Sequence, residues 1–165
     1  MADGQTVSDQ DCQPTPAAPV IDKSVSAGPA PSGLPGSYDI QYKLDVTNAS
    51  AAAGVYNVVD ALQLSPTVTT SIAIVAVAPA GVTTNPGWNG TSDQVIATNQ
   101  AIPAATVHTY LINVRFSINA AAVTFANSDC TLDAGESGTG LLNSAAVGNN
   151  NIITSSDTGC APLPS

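Results

Sequence analysis

Three polar residues lie at positions where the alternation of apolar and polar side chains predicts an inward-facing side chain. Lys23, Asp60 and Asn143 each share strand parity with apolar neighbours two residues away. Lys and Asp are almost never fully buried without a partner. We therefore expect the three side chains to meet inside the protein. The apolar neighbours are Ile21, Val25, Val58, Leu62, Leu141, Ala145 and Val147.

Burial would make these three groups reactive toward one another. It lowers the pKa of a lysine and raises the pKa of an aspartic acid, so both groups tend to be neutral. A neutral Lys23 amine is a nucleophile that can attack the side-chain carbonyl of Asn143. Asp60 can polarise that carbonyl and carry the proton. Ammonia then leaves, and an intramolecular isopeptide bond between Lys23 and Asn143 remains.

Two other interpretations of the same residues stay open. In the first, Lys23 and Asp60 form a buried ion pair and Asn143 caps a turn. In the second, Lys23 lies at the rim of the fold and extends its amine to water. A single β-bulge would also reverse the face of a short strand. Lys43 lies on a polar face and is a poorer nucleophile. The alternative acceptors are Asn127, Asn149, Asn150 and Asn151.

The remaining chemically capable residues point to no reaction on an external substrate. His108 is the single histidine and is better explained as a structural residue, so we expect neither an enzyme nor a cofactor. Trp88 is a possible ligand contact for a sugar ring, or alternatively a plug at the end of the fold. An acidic cluster is a weak calcium candidate, and we favour a solvated loop there. The cluster consists of Asp129, Asp133 and Glu136.

The chain has three cysteines, which is one more than a single disulfide uses. Cys130 and Cys160 both belong to the same predicted domain, and we expect them to form the bridge. Cys12 would then be a free thiol whose partner lies in a preceding copy of the domain. Pairing of Cys12 with either of the other two is the competing arrangement.

Composition excludes several classes of function. The 165 residues include 3 Lys and Arg against 12 Asp and Glu, which gives a net charge of −9. This charge argues against binding to nucleic acid or to an anionic membrane. No apolar run approaches the length of a membrane span. Three cysteines in a chain rich in Ser, Thr and Asn indicate an extracellular location, although no signal peptide is visible. We therefore expect a fragment of an exported protein, with Met1 as an added start residue.

The pattern of side chains predicts an all-β fold. Tyr38–Val46 and His108–Ile118 alternate at period two, which is typical of strands with one buried face. Val68–Ala78 is apolar and β-branched, and we expect it to be buried on both faces. Leu141–Thr154 alternates less regularly. Seven to nine short strands separated by Pro- and Gly-rich turns predict an immunoglobulin-like antiparallel β-sandwich.

Similar sequences at the two ends suggest a tandem array. Ser8–Pro16 and Ser156–Pro164 share Ser, Asp, Cys and two Pro residues without a gap. Chance similarity between two Pro-rich tails is the alternative. The array interpretation divides the chain into three parts: residues 1–18 are the tail of a preceding repeat, 19–160 the sandwich, and 161–165 a linker to the next repeat.

A series of motifs resembles the repeat of the domain-of-unknown-function family eleven. It comprises Lys23–Ser26, Tyr42–Asn48 and Val58–Leu62, with Gln63 where the family has Pro. This family occurs in tandem in large bacterial and archaeal cell-surface proteins. The resemblance implies an immunoglobulin-like fold and a stalk role without an activity. The Lys23, Asp60 and Asn143 pattern also resembles self-cross-linking domains of Gram-positive pilins and adhesins, which join a first-strand Lys to a last-strand Asn.

These observations predict a structural stalk or spacer repeat of a large bacterial cell-surface or fibrillar adhesin. Its partners would be neighbouring repeats of the same chain, with host or surface ligands bound through another domain. Two alternatives remain. One is a module that binds a glycan or host protein, and the other is a self-assembling subunit of a surface fibre.

Overall fold

The computed structural model describes residues 18–164, and eight strands account for most of them. The strands are β1 (Val20–Pro31), β2 (Ser37–Asn48), β3 (Gly54–Leu64), β4 (Val68–Val77), β5 (Val95–Ile102), β6 (Thr106–Ile118), β7 (Leu141–Asn149) and β8 (Ile152–Gly159). Between β6 and β7 lie a 3-10 turn, Ala120–Ala122, and a short helix, α1 (Phe125–Ser128). No helix within residues 18–164 is long and apolar enough to cross a membrane.

The strands form two antiparallel sheets that pack face to face, which confirms the predicted β-sandwich. One sheet has the order β1-β2-β6-β4 and the other β5-β3-β7-β8. If β5 is left out, these orders match the A-B-E-D and C-F-G sheets of the seven-stranded immunoglobulin arrangement. In this comparison β5 is an additional strand on the edge of the second sheet, next to β3.

The alternation in β2 and β6 places one face of the first sheet in the core. The inward residues of β2 are Ile40, Tyr42, Leu44 and Val46, all at most 2% exposed. β2 and β6 pair without a register shift from Ser37 to Asn48. This regular pairing keeps the two inward rows on the same face, since a shift of one residue would reverse them.

The segment Leu141–Thr154 alternates less regularly because it contains a turn. Asn150 and Asn151 adopt positive φ angles of 51° and 63° and form this turn between β7 and β8. Consecutive asparagines tolerate this left-handed conformation in a tight hairpin. Val68–Ala78 is not buried on both faces. It contains β4, an edge strand of which Ile72, Ile74 and Val77 are 41–49% exposed.

The packed unit continues beyond β8. Cys160 forms a disulfide with Cys130, as the sequence predicts. Ala161 and Leu163 then pack against the core, and the Leu141 N–H donates to the Ala161 carbonyl. Most of the segment 161–165 that we predicted to be a linker therefore lies against the sandwich. Cys12 and the first of the two similar tails, Ser8–Pro16, lie outside the described residues.

Candidate functional site

The side chains of Lys23, Asp60 and Asn143 are all buried between the two sheets. Their residues are 4%, 0% and 0% exposed, respectively. Lys23 comes from β1 in the first sheet, whereas Asp60 on β3 and Asn143 on β7 belong to the second. The inward parity predicted from the sequence is therefore correct at all three positions.

Strand register brings the residues of the second sheet together. Asp60 pairs with Ala145 and Leu62 pairs with Asn143, so Asp60 and Asn143 are diagonal neighbours on the same face. Diagonal neighbours on adjacent strands are within reach of each other's side chains. One detail differs from the expected layout. Asn143 lies on the second-to-last strand of the domain, whereas the self-cross-linking domains use the last.

Lys23 reaches this pair from the opposite sheet. Its Nζ atom donates a hydrogen bond to Asp60 Oδ2, and both side chains are fully shielded from solvent. The Nζ atom also lies 5.2 Å from the centre of the Tyr42 ring. Burial of this amine contradicts the interpretation that places Lys23 at the rim.

Burial opposes the charged form of both groups. Burial lowers the pKa of Lys23, although Asp60 acts in the opposite direction. Burial likewise raises the pKa of Asp60 against the opposing effects of Lys23 and Asn143. The direction for each group is the one required for a nucleophilic amine and a carboxylic acid that donates a proton.

Asn143 is the unusual member of the group. Its two amide atoms, Nδ2 and Oδ1, are buried and make no hydrogen bond within residues 18–164, and Asp60 Oδ1 also has no partner there. The amide faces the Asp60 carboxyl without reaching hydrogen-bond geometry, and its proximity only weakly opposes the burial that raises the pKa of Asp60. Asn143 is the third residue of β7 and pairs with both neighbouring strands, so it does not cap a turn. Each buried polar atom without a partner costs about 1–3 kcal/mol, so an ion pair alone leaves this cost unexplained.

Two neighbouring aromatic residues hold the site in place. Tyr42 donates from its hydroxyl to the Leu141 carbonyl at 2.7 Å, next to Asn143. Trp88 is 5% exposed and donates from Nε1 to the backbone carbonyl of Asp60 at 3.0 Å. The indole is therefore part of the core and is not a surface platform for sugars, which corrects its prediction as a ligand contact.

Two of the acidic residues near Cys130 accept hydrogen bonds from the backbone of their own loop. Asp129 Oδ1 accepts from the Thr131 N–H, and Glu136 Oε2 accepts from the Asp133 N–H. Within residues 18–164, no group of three His, Cys, Asp or Glu residues is arranged to hold a metal ion. Asp129, Asp133 and Glu136 are thus not brought together as a calcium site.

His108 lies in a separate buried hydrogen-bonded group. Its Nδ1 atom is 2.9 Å from the Tyr56 hydroxyl, which is 2.5 Å from the Tyr110 hydroxyl. The hydrogen bond to Tyr56 connects His108 on β6 to β3 across the two sheets.

Comparison with known proteins adds no relative: no family model, no curated protein and no solved structure matches the chain. The resemblance to the domain-of-unknown-function family eleven therefore stays a prediction. The fold and the buried Lys23, Asp60 and Asn143 group are the basis for a function.

Proposed function

We propose that the chain is a structural stalk or spacer repeat of a large bacterial cell-surface or fibrillar adhesin, located outside the cell. In this proposal an isopeptide bond between Lys23 and Asn143 joins the two sheets. The observation that carries the proposal is the buried Asn143 amide, which has no hydrogen-bond partner among residues 18–164 and lies beside a Lys23–Asp60 pair.

The proposed bond forms by exchange of one amine for another. The neutral Lys23 Nζ attacks Asn143 Cγ, and the carboxylic acid of Asp60 hydrogen-bonds to Asn143 Oδ1 as negative charge develops there. The Nζ–Cγ bond forms, and the Cγ–Nδ2 bond breaks. Asp60 transfers a proton from Nζ to Nδ2, so that ammonia leaves. Asp60 returns to its starting state, and no oxidant or cofactor is consumed.

The position of the bond in the chain suits a protein that bears force. Lys23 lies on the first strand, and Asn143 precedes the last one. A pull applied at the two ends would pass directly from β1 to β7 through the bond. The residues between them, from β2 to β6, would carry none of it. The disulfide between Cys130 and Cys160 adds a second covalent route beyond Asn143.

A single-molecule pulling experiment tests this role. The chain is tethered at its two ends and stretched, and the contour length released on unfolding is measured. In the wild-type chain the bond bridges the segment between Lys23 and Asn143, so we expect this segment to add nothing to the released contour length. Lys23→Ala should release that segment, because it has no nucleophile.

Lys43→Ala is the matched control. Lys43 is a β2 lysine with 43% of its side chain exposed, and it pairs with Asp45 rather than with the buried group. This variant should behave as the wild type does. Equal contour lengths for the wild type and Lys23→Ala would contradict the stalk role based on a cross-link.

A self-assembling fibre subunit is the second candidate, and β4 favours it. Among the described strands this edge strand pairs only with β6, and it lies in the segment 61–92, which contains no charged residue. Two chains of net charge −9 could meet along β4 without bringing like charges together. An uncharged, β-branched edge strand is also a typical template for pairing with another chain.

A further inference from the structure

The gap between the first and last strands is closed by side chains of β8. β1 is the edge of one sheet and β8 the edge of the other. The Ile21 N–H donates to Ser155 Oγ at 3.1 Å, and the Lys23 N–H donates to Asp157 Oδ2 at 2.7 Å. These bonds connect the two sheets where no backbone ladder does. We call this contact between β1 and β8 the seam.

The seam includes the backbone of the residue that supplies the amine. The Lys23 amide is tied to Asp157, while its side chain extends inward to Asp60. A shift of β1 away from β8 would therefore move the Lys23 Nζ atom relative to Asn143. Bond formation requires the reacting atoms to be held close together, and a small displacement slows such a reaction strongly.

Gly159 allows the seam to close tightly at the same point. A Cβ atom on Gly159 would lie 3.2 Å from the Ser24 carbonyl carbon and 3.4 Å from Lys23 Cγ. Gly159 is also the residue that pairs with Asn143 across the β7–β8 ladder. The Lys23 side chain thus passes over the residue directly opposite its proposed acceptor.

We propose that Asp157 is a positioning residue for the cross-link: by accepting the Lys23 N–H, it holds β1 against β8 and keeps the amine next to Asn143. The inference rests on the proposed function. Asp157 does not touch the reacting atoms, so its effect passes through the Lys23 backbone.

The Asp157 carboxyl is suited to this contact. The bond from the Lys23 backbone is the main cause that lowers the pKa of Asp157, so the group is ionised near neutral pH. A charged acceptor makes a stronger hydrogen bond than a neutral one. A carboxamide at this position would still accept the N–H, whereas a methyl group would not. Asn and Ala substitutions therefore separate the contact from the charge.

Refolding from the unfolded state tests the proposal. Chains recovered unfolded from inclusion bodies are refolded, and the loss of one ammonia is followed by mass against time. We expect Asp157→Ala to slow this loss by about tenfold to a hundredfold. Asp157→Asn should stay much closer to the wild-type rate. Asp133→Ala, a change in an acidic loop residue away from the seam, is the control.

The folding rate, followed through Trp88 fluorescence, separates positioning from folding. Asp157→Ala should fold at nearly the wild-type rate and cross-link afterwards, more slowly. Cross-linking of Asp157→Ala at the wild-type rate would overturn the proposal. A delay that Asp157→Asn shares in full would also overturn it, because the carboxamide retains the acceptor.

A second measurement keeps this inference distinct from the proposed function. Asn143→Ala removes the acceptor, so the seam can be examined without any cross-link. In that background, Asp157→Ala should increase hydrogen exchange at the Lys23 amide, and unchanged exchange would overturn the seam. If the wild type folds and never loses ammonia, the proposed function fails whatever the exchange result.

Discussion

Among single residues, His108 connects the buried polar groups to the pH of the medium. Burial lowers its pKa below the ordinary value of 6.5. The unfolded chain therefore binds the proton more readily than the folded chain, and stability is lost as the pH falls through about 6.5. The Tyr56 hydroxyl lies 2.9 Å from Nδ1, and a protonated ring can only donate to it.

We expect the melting temperature to fall between about pH 7.5 and about pH 5, a range in which a histidine titrates. The glutamine amide can donate or accept a hydrogen bond but does not titrate, so His108→Gln should flatten this pH dependence. Thermal unfolding of both proteins at several pH values measures the difference. An equal slope in the two proteins would assign the effect to other groups.

The sequence could predict the three main residues of the site but not their surroundings. Strand parity alone placed Lys23, Asp60 and Asn143 inside, because apolar neighbours at two-residue spacing define the buried face. Parity does not define which strands lie next to each other. The sequence pattern therefore did not indicate a role for Asp157. That role depends on β8 lying beside β1, although the two strands belong to different sheets.

Among the strands, β4 is the element whose free edge matters most. Ile74 is 49% exposed on this uncharged edge strand. If chains associate through β4, Ile74→Lys should prevent the association, because a charge on an edge strand opposes pairing. Sedimentation velocity over a range of protein concentrations measures this. Ile152→Lys is the control, since Ile152 is 67% exposed on β8 in the other sheet.

Association of the wild type that Ile74→Lys abolishes and Ile152→Lys preserves would support the fibre subunit. A wild type that remains monomeric at every concentration would contradict it. So would association that both variants weaken equally, because the contact would then not be specific to β4.

The incorrect prediction that β4 is buried on both faces has a physical cause. Composition identified β4 as a strand, but burial depends on its place at the edge of the sheet, which no local pattern encodes. The turn between β7 and β8 did have a local signal in Asn150 and Asn151, both of which adopt positive φ angles. Consecutive asparagines between two β-prone segments favour such a turn.

At the scale of the whole molecule, three kinds of contact hold the sandwich together. Antiparallel ladders build each sheet, apolar packing holds the sheets together, and the seam closes the side between β1 and β8. The disulfide between Cys130 and Cys160 closes a loop of 30 residues around β7 and β8. The proposed isopeptide bond would add a covalent connection between the two sheets.

The mass of the intact, purified chain, reduced and denatured, tests this central claim most directly. We predict a mass lower than that of the sequence by one ammonia, and a branched peptide that joins the segments containing Lys23 and Asn143. Lys23→Ala and Asp60→Asn should restore the full mass, whereas Lys43→Ala should keep the deficit. A folded wild-type protein with the full mass of its sequence would contradict the account.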